Sequence, residues 1–161
     1  MEKWHDFFVG ELGAAAGFAG LLFVSLSVNE ARIIQFGGLA ERGSQALTSL
    51  FLVFVVATLA LTPDQYPRWF GAETLAATVV QIGFQTRTQI IAQRLTEKTY
   101  RGSLLLIALF AQFGSALFLF GSVQMIVYND WIGLQCFVPG TIIAFTVAAI
   151  LAWVLLIEIN R

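Results

Sequence analysis

Charge is what this chain has least of. Only 12% of its 161 residues are charged and 58% are hydrophobic, where a soluble domain has about 25% and 45–50%. So short and so apolar a chain has too little polar surface to stay in water, which excludes a soluble monomer. Cysteine occurs once, at Cys136, excluding a disulfide scaffold and any CxxC redox pair. Histidine also occurs once, at His5. One of each cannot build a multi-histidine metal site or a pair of haem ligands, so no metal and no cofactor is expected. A Ser–His dyad would rest on His5, at the edge of the first apolar run. Lys3 and Lys98, the two lysines, stand outside the apolar runs, so a buried Schiff base is excluded too. No strand pattern precedes a glycine-rich phosphate loop. The expectation is a protein that is not an enzyme. Its 9 basic and 10 acidic residues nearly balance, leaving no basic face for nucleic acid. The start, Met1-Glu2-Lys3-Trp4-His5-Asp6, is not the basic region of a signal peptide. Gly13 to Val28 is followed by Asn29-Glu30-Ala31-Arg32 rather than a cleavage site, so the first run is expected to stay.

What the chain does have is long apolar runs. A helix needs roughly 20 apolar residues to cross a hydrocarbon core. Four segments meet that directly, at about 7–29, 44–62, 103–128 and 132–158. A fifth, 70–95, is interrupted: Glu73 and Arg87 bracket its charge-free stretch from Thr74 to Thr86. It is either a polar span shielded in a bundle or an amphipathic helix on the membrane surface. The positive-inside rule does not choose. Five spans with an outside N-terminus place Arg32, Arg42, Arg87, Arg94, Lys98, Arg101 and Arg161 inside, against Lys3 and Arg68 outside. Four spans with an inside N-terminus also leave only two basic residues, Arg32 and Arg42, outside. Aromatic placement does choose. Five spans bring Trp4, Tyr66, Trp69, Tyr128 and Trp131 to one interface as a belt. The run Thr62-Pro63-Asp64-Gln65-Tyr66-Pro67 also reads as a tight turn between neighbouring helices. The sequence therefore predicts an all-α, polytopic transmembrane helix bundle, a single domain over residues 1–161 with five spans. Four spans plus one surface helix is the alternative. The N-terminus is expected outside and the C-terminus in the cytoplasm, which leaves the outer side acidic and the inner side basic.

Within the third segment, Thr74, Thr78, Gln81, Gln85 and Thr88 recur at steps of four and three and so share one helix face. Amides and hydroxyls in hydrocarbon need partners. This ridge either lines a water-filled path or binds helices together, with Gln112, Ser115, Ser122 and Gln124 of the fourth span as partners. Glu11 and Glu73 are candidates for an acidic outer mouth. Glu11 reads as a snorkelling interfacial carboxylate, with an ion or proton site as the alternative. The first span carries Gly13, Gly17 and Gly20, with a GxxxG at the first two, a helix-packing face within one subunit or between copies. Pro139 and Gly140 are hinge candidates in the last span.

Several stretches resemble a group of small bacterial integral membrane proteins. These are Gly20-Leu21-Leu22-Phe23-Val24-Ser25-Leu26-Ser27-Val28-Asn29 with Arg32-Ile33-Ile34, Glu41-Arg42 leading to Ala46-Leu47, Leu61-Thr62-Pro63-Asp64-Gln65, and Ala152-Trp153-Val154-Leu155-Leu156-Ile157-Glu158-Ile159. Proteins of that group are sometimes labelled modulators of a membrane protease. The resemblance implies a bacterial inner-membrane location and five spans, and it supplies no catalytic residues. Two functions remain open. One is a homo-oligomeric channel-like or transport-like protein for small ions. The other is a non-catalytic partner or regulatory subunit of a larger membrane complex such as a membrane protease.

Overall fold

The computed structural model describes residues 2–30, 33, 38–96 and 101–159. Arg32, Ile34, Glu97, Lys98 and Arg161, used in the charge tally and the resemblance, lie outside the described residues. The rest is helical, with no strand among the described residues. The long helices are α1 (His5–Val28), α2 (Leu39–Ala60), α3 (Pro67–Leu95), α4 (Arg101–Tyr128) and α5 (Leu134–Ile159), with 3-10 turns at Glu2–Trp4 and Trp131–Gly133. Four of them are long and apolar enough to cross a membrane: α1, α2, α4 and α5.

Local chemistry accounts for the boundaries. At the end of α2 the chain turns through Asp64, whose φ of 55° is left-handed, and re-enters helix at Pro67. Proline suits that first position because its missing N–H would have no helical acceptor there. After α4, Asn129 also takes a left-handed φ of 52°, which asparagine tolerates better than most residues. Asp130 then caps the next turn, its Oδ1 accepting from the Trp131 N–H at 2.6 Å. The second helix begins at Leu39, ahead of the expected 44. Gly38, at φ 91°, opens it and accepts from the Arg42 N–H at 3.2 Å. Arg42 is buried in the first turn and donates to Thr96 Oγ1 at the end of α3. The Glu41-Arg42 pair therefore sits inside the helix rather than before it.

Successive helices run antiparallel. α2, α3, α4 and α5 form a closed ring in which each packs against two neighbours, and α1 lies outside it against α2. Trp4, the 61–66 turn and the 129–133 turn share one end, the turn end, where Tyr66, Trp69, Tyr128 and Trp131 also gather. Phe70, Phe118, Phe137 and Trp131 close the core there, with ring centroids 5.0–6.0 Å apart. Aliphatic residues such as Leu50, Ala111, Val147 and Leu151 fill the opposite, loop end.

Glycine allows the tightest approach where α4 meets α5. A Cβ on Gly133 would overlap the Gly121 carbonyl, and one on Gly140 would press into the Phe118 ring. Gly140 thus has a packing role in a helix that continues through Pro139. The glycines singled out on α1 behave oppositely: a Cβ at Gly13, Gly17 or Gly20 meets nothing within 4 Å. Gly133→Ala is expected to cost about 1–3 kcal/mol through overpacking and to lower Tm in detergent. Gly13→Ala, at an exposed helix position, should leave monomer stability unchanged or raise it by up to about 1 kcal/mol. Thermal unfolding of the two variants checks the contrast.

Candidate functional site

α3 is built inside out. Its buried face carries Thr74, Thr78, Gln81, Gln85, Thr88 and Gln89, and its exposed face carries Val79, Val80, Phe84 and Ile90. The expected ridge is therefore one continuous face, turned into the bundle. Most of its polar atoms have partners, and those reached across the helix interface lie on α4. Thr74 Oγ1 and Ser122 Oγ lie 2.8 Å apart. Ser115 Oγ donates to Gln81 Oε1 at 3.1 Å, while Gln81 Nε2 donates to Gln85 Oε1. Gln112 Nε2 reaches Gln89 Oε1 at 3.0 Å and Thr86 Oγ1 at 2.9 Å. Thr78 and Thr88 return their hydroxyls to the carbonyls of Thr74 and Gln85. Gln124 takes no part, accepting instead from the Cys136 thiol at 3.7 Å.

This ladder leaves little room for water. Between Ser49, Gln81, Ser115 and Val147 lies a void of about 10 Å³, near the least that holds one water molecule. The much larger space is lateral. A cleft of about 840 Å³ opens between α1 and α3, with α2 as its floor. Ala15, Ala16 and Ala19 form one wall, Phe51 and Phe54 the floor, and Ala76, Ala77 and Val80 the other wall. The two phenylalanine rings stack at 6.1 Å. Small wall residues keep the cleft wide, and no charged side chain lines it.

The two acidic candidates stand apart. Glu73 is exposed and accepts from Gln65 Nε2 at 2.9 Å. Glu11 is buried on the inward face of α1, with the Thr141 side chain of α5 within reach. Ser115 and Ser122 were expected as partners of the ridge, but the glycines beside them on α4 were missed by sequence reasoning, although their signal was present. Gly114 and Gly121 pack toward α5, while Ser115 and Ser122 bond to α3, each pair seven residues apart. Among the described residues, no group of three or more His, Cys, Asp or Glu is arranged to hold a metal ion.

Interhelical hydrogen bonds in membranes contribute about 0.6 kcal/mol on average and at most about 1.7 kcal/mol. A double-mutant cycle on Thr74→Val and Ser122→Ala should therefore give a coupling of about 0.6 kcal/mol. Gln81→Leu strips partners from both Gln85 and Ser115, and should cost about 1–2 kcal/mol in detergent unfolding.

No protein-family model, curated protein or solved structure matches the chain.

Proposed function

We propose that this protein is a non-catalytic partner subunit of the bacterial inner membrane, whose lateral cleft receives an apolar transmembrane helix of a larger membrane complex. The observation that carries the reading is the use made of the polar ridge. Its amides and hydroxyls bond to α4 or to their own helix, and the void beside them, about 10 Å³, has room for one water at most. A small-ion path along that ridge would need those bonds broken, so the packing role is the better supported. The cleft has the character of a helix seat. Its alanine walls let a second backbone come close, and van der Waals contact between close backbones is what joins helices where hydrophobic drive is absent. A membrane protease, as the sequence resemblance suggests, is the class of complex it would serve.

Five crossings belong to the same reading, and the setting of α3 supports them. α3 lies antiparallel between α2 and α4 and presents Val79, Val80, Phe84 and Ile90 outward. A helix lying at the water surface would turn the opposite faces. In this reading the N-terminus, and with it the aromatic turn end, lies outside. Self-association through α1 is a second element, favoured by Gly10, Gly13, Gly17 and Gly20 standing open on its outward face.

Three measurements test this. Purified protein in liposomes should pass no ions above the empty-vesicle rate, and flux lost in Gln85→Leu would restore the channel reading. Ala19→Trp should fill the cleft and reduce co-purification of the partner complex about tenfold, a loss of about 1.4 kcal/mol, with Tm unchanged. In a Cys136→Ser background, Asp64→Cys should react with an impermeant maleimide from outside, and Arg94→Cys only after permeabilisation. Neither site reacting from outside is the pattern of four spans.

A further inference from the structure

The ladder satisfies most of the polar groups buried along α3, but a carboxylate on α1 has no such provision. Glu11 follows Phe8 by one helical turn on the inward face and is 7% exposed. Among the described residues, neither of its carboxyl oxygens has a hydrogen-bond partner. Thr141 of α5, the side chain that interacts with it, is 5% exposed, and its Oγ1 is equally without a partner. Two unpartnered polar groups therefore meet in one apolar seam, among Phe8, Ala15, Ala57 and Phe137. No charged residue occurs on α2 between Thr48 and Leu61, nor on α5 between Leu134 and Ile157. The charged and titratable groups of the approach are at the turn end. There His5 and Asp64 line a vestibule of about 330 Å³, together with Phe8, Pro63 and Gln65. Asp6 of α1 is exposed at the same end.

A bare carboxylate costs several kcal/mol in such a seam unless something neutralises it. No lysine or arginine stands on the facing stretches to do so. Metal cations such as calcium and magnesium take about six oxygen ligands. Here there are two from Glu11 and one from Thr141. A proton needs only one carboxyl oxygen to hold it and one acceptor to receive its hydrogen bond. We propose that Glu11, faced by Thr141, is a proton-binding site within the membrane, filled and emptied from the turn end through the vestibule behind Phe8. The carboxylic acid donates to Thr141 Oγ1 when the site is filled. Loss of the proton leaves a charge in the seam that holds α1 to the ring, so the docking of α1 follows the occupancy of the site.

An apolar carbodiimide tests this, because it modifies carboxyl groups that are protonated and out of water. The carboxyl proton passes to a carbodiimide nitrogen as the oxygen bonds the central carbon. The adduct rearranges to a stable N-acylurea with nothing leaving. With the full chain in liposomes, N,N′-dicyclohexylcarbodiimide should add to Glu11 at about pH 6 and about tenfold less at about pH 10. Glu11→Gln should lose the adduct and Glu73→Gln should keep it. Phe8→Ala should speed labelling of Glu11 by a water-soluble carbodiimide. The infrared spectrum should carry a carboxylic-acid carbonyl band that is lost in Glu11→Gln, a readout independent of reagent access. Absence of both the adduct and that band at about pH 6 would overturn the proposal. So would labelling that is indifferent to pH, or protection by sodium or potassium at constant pH, which marks a metal-cation site.

Discussion

A hydrogen-bonding group buried away from water must find its partner inside the protein, because apolar surroundings offer none. In this chain that requirement falls most heavily on α3, which carries three glutamines and three threonines on its buried face. The ladder to Ser122, Ser115 and Gln112 of α4 answers it. Each bond is modest, yet breaking the pair would expose every one of those groups at once. The α3–α4 interface is therefore the contact the ring is least free to open. The remaining helices arrange themselves around a pair whose orientation is already set.

That constraint also explains where small residues are needed. Serine can reach a glutamine on the next helix only if the two backbones are near, and Gly71 of α3 brings them near by leaving room for the Ser122 carbonyl. One step around α4, Gly114 and Gly121 do the same for α5. α4 thus serves two neighbours with one seven-residue pattern, serine toward α3 and glycine toward α5. α2 completes the ring with Leu50, Val53 and Val56 fully buried. α1 is left outside, held along one face. Because α1 and α3 both flank α2 without closing on each other, the lateral cleft is a direct consequence of this order of packing.

Much of this was readable beforehand. The five helical segments, the tight turn around Pro63 and the single face shared by Thr74, Thr78, Gln81, Gln85 and Thr88 all follow from spacing alone. Spacing identifies a face without saying what it meets. The same stripe is compatible with a water path or with a zipper until its neighbour is known. The α1 glycines show the limit plainly. Gly13 and Gly17 form a GxxxG, but Phe8, Ala15 and Leu22 determine which side of α1 is inward, and the glycines fall opposite. Arg42 shows another limit: its place near the start of the second helix is legible, but its burial and its contact with Thr96 are not.

Glu11 belongs to a different category from the ladder. Glutamine and threonine pair with other neutral groups at little cost, so their burial needs no further purpose than packing. A carboxylate has no comparable exit, and the side chain that faces it from α5 is the neutral Thr141. A glutamine in its place could bond to Thr141 without any charge to neutralise, and α3 is already rich in buried glutamine. The use of an ionisable group, at the one seam joining α1 to the ring and directly behind Phe8, makes the docking of α1 depend on protons where the ring does not. The ring and its appended helix therefore differ in kind. The α3–α4 and α4–α5 interfaces are closed by neutral hydrogen bonds and glycine contacts, while α1, which walls the cleft, buries a group that can change its charge.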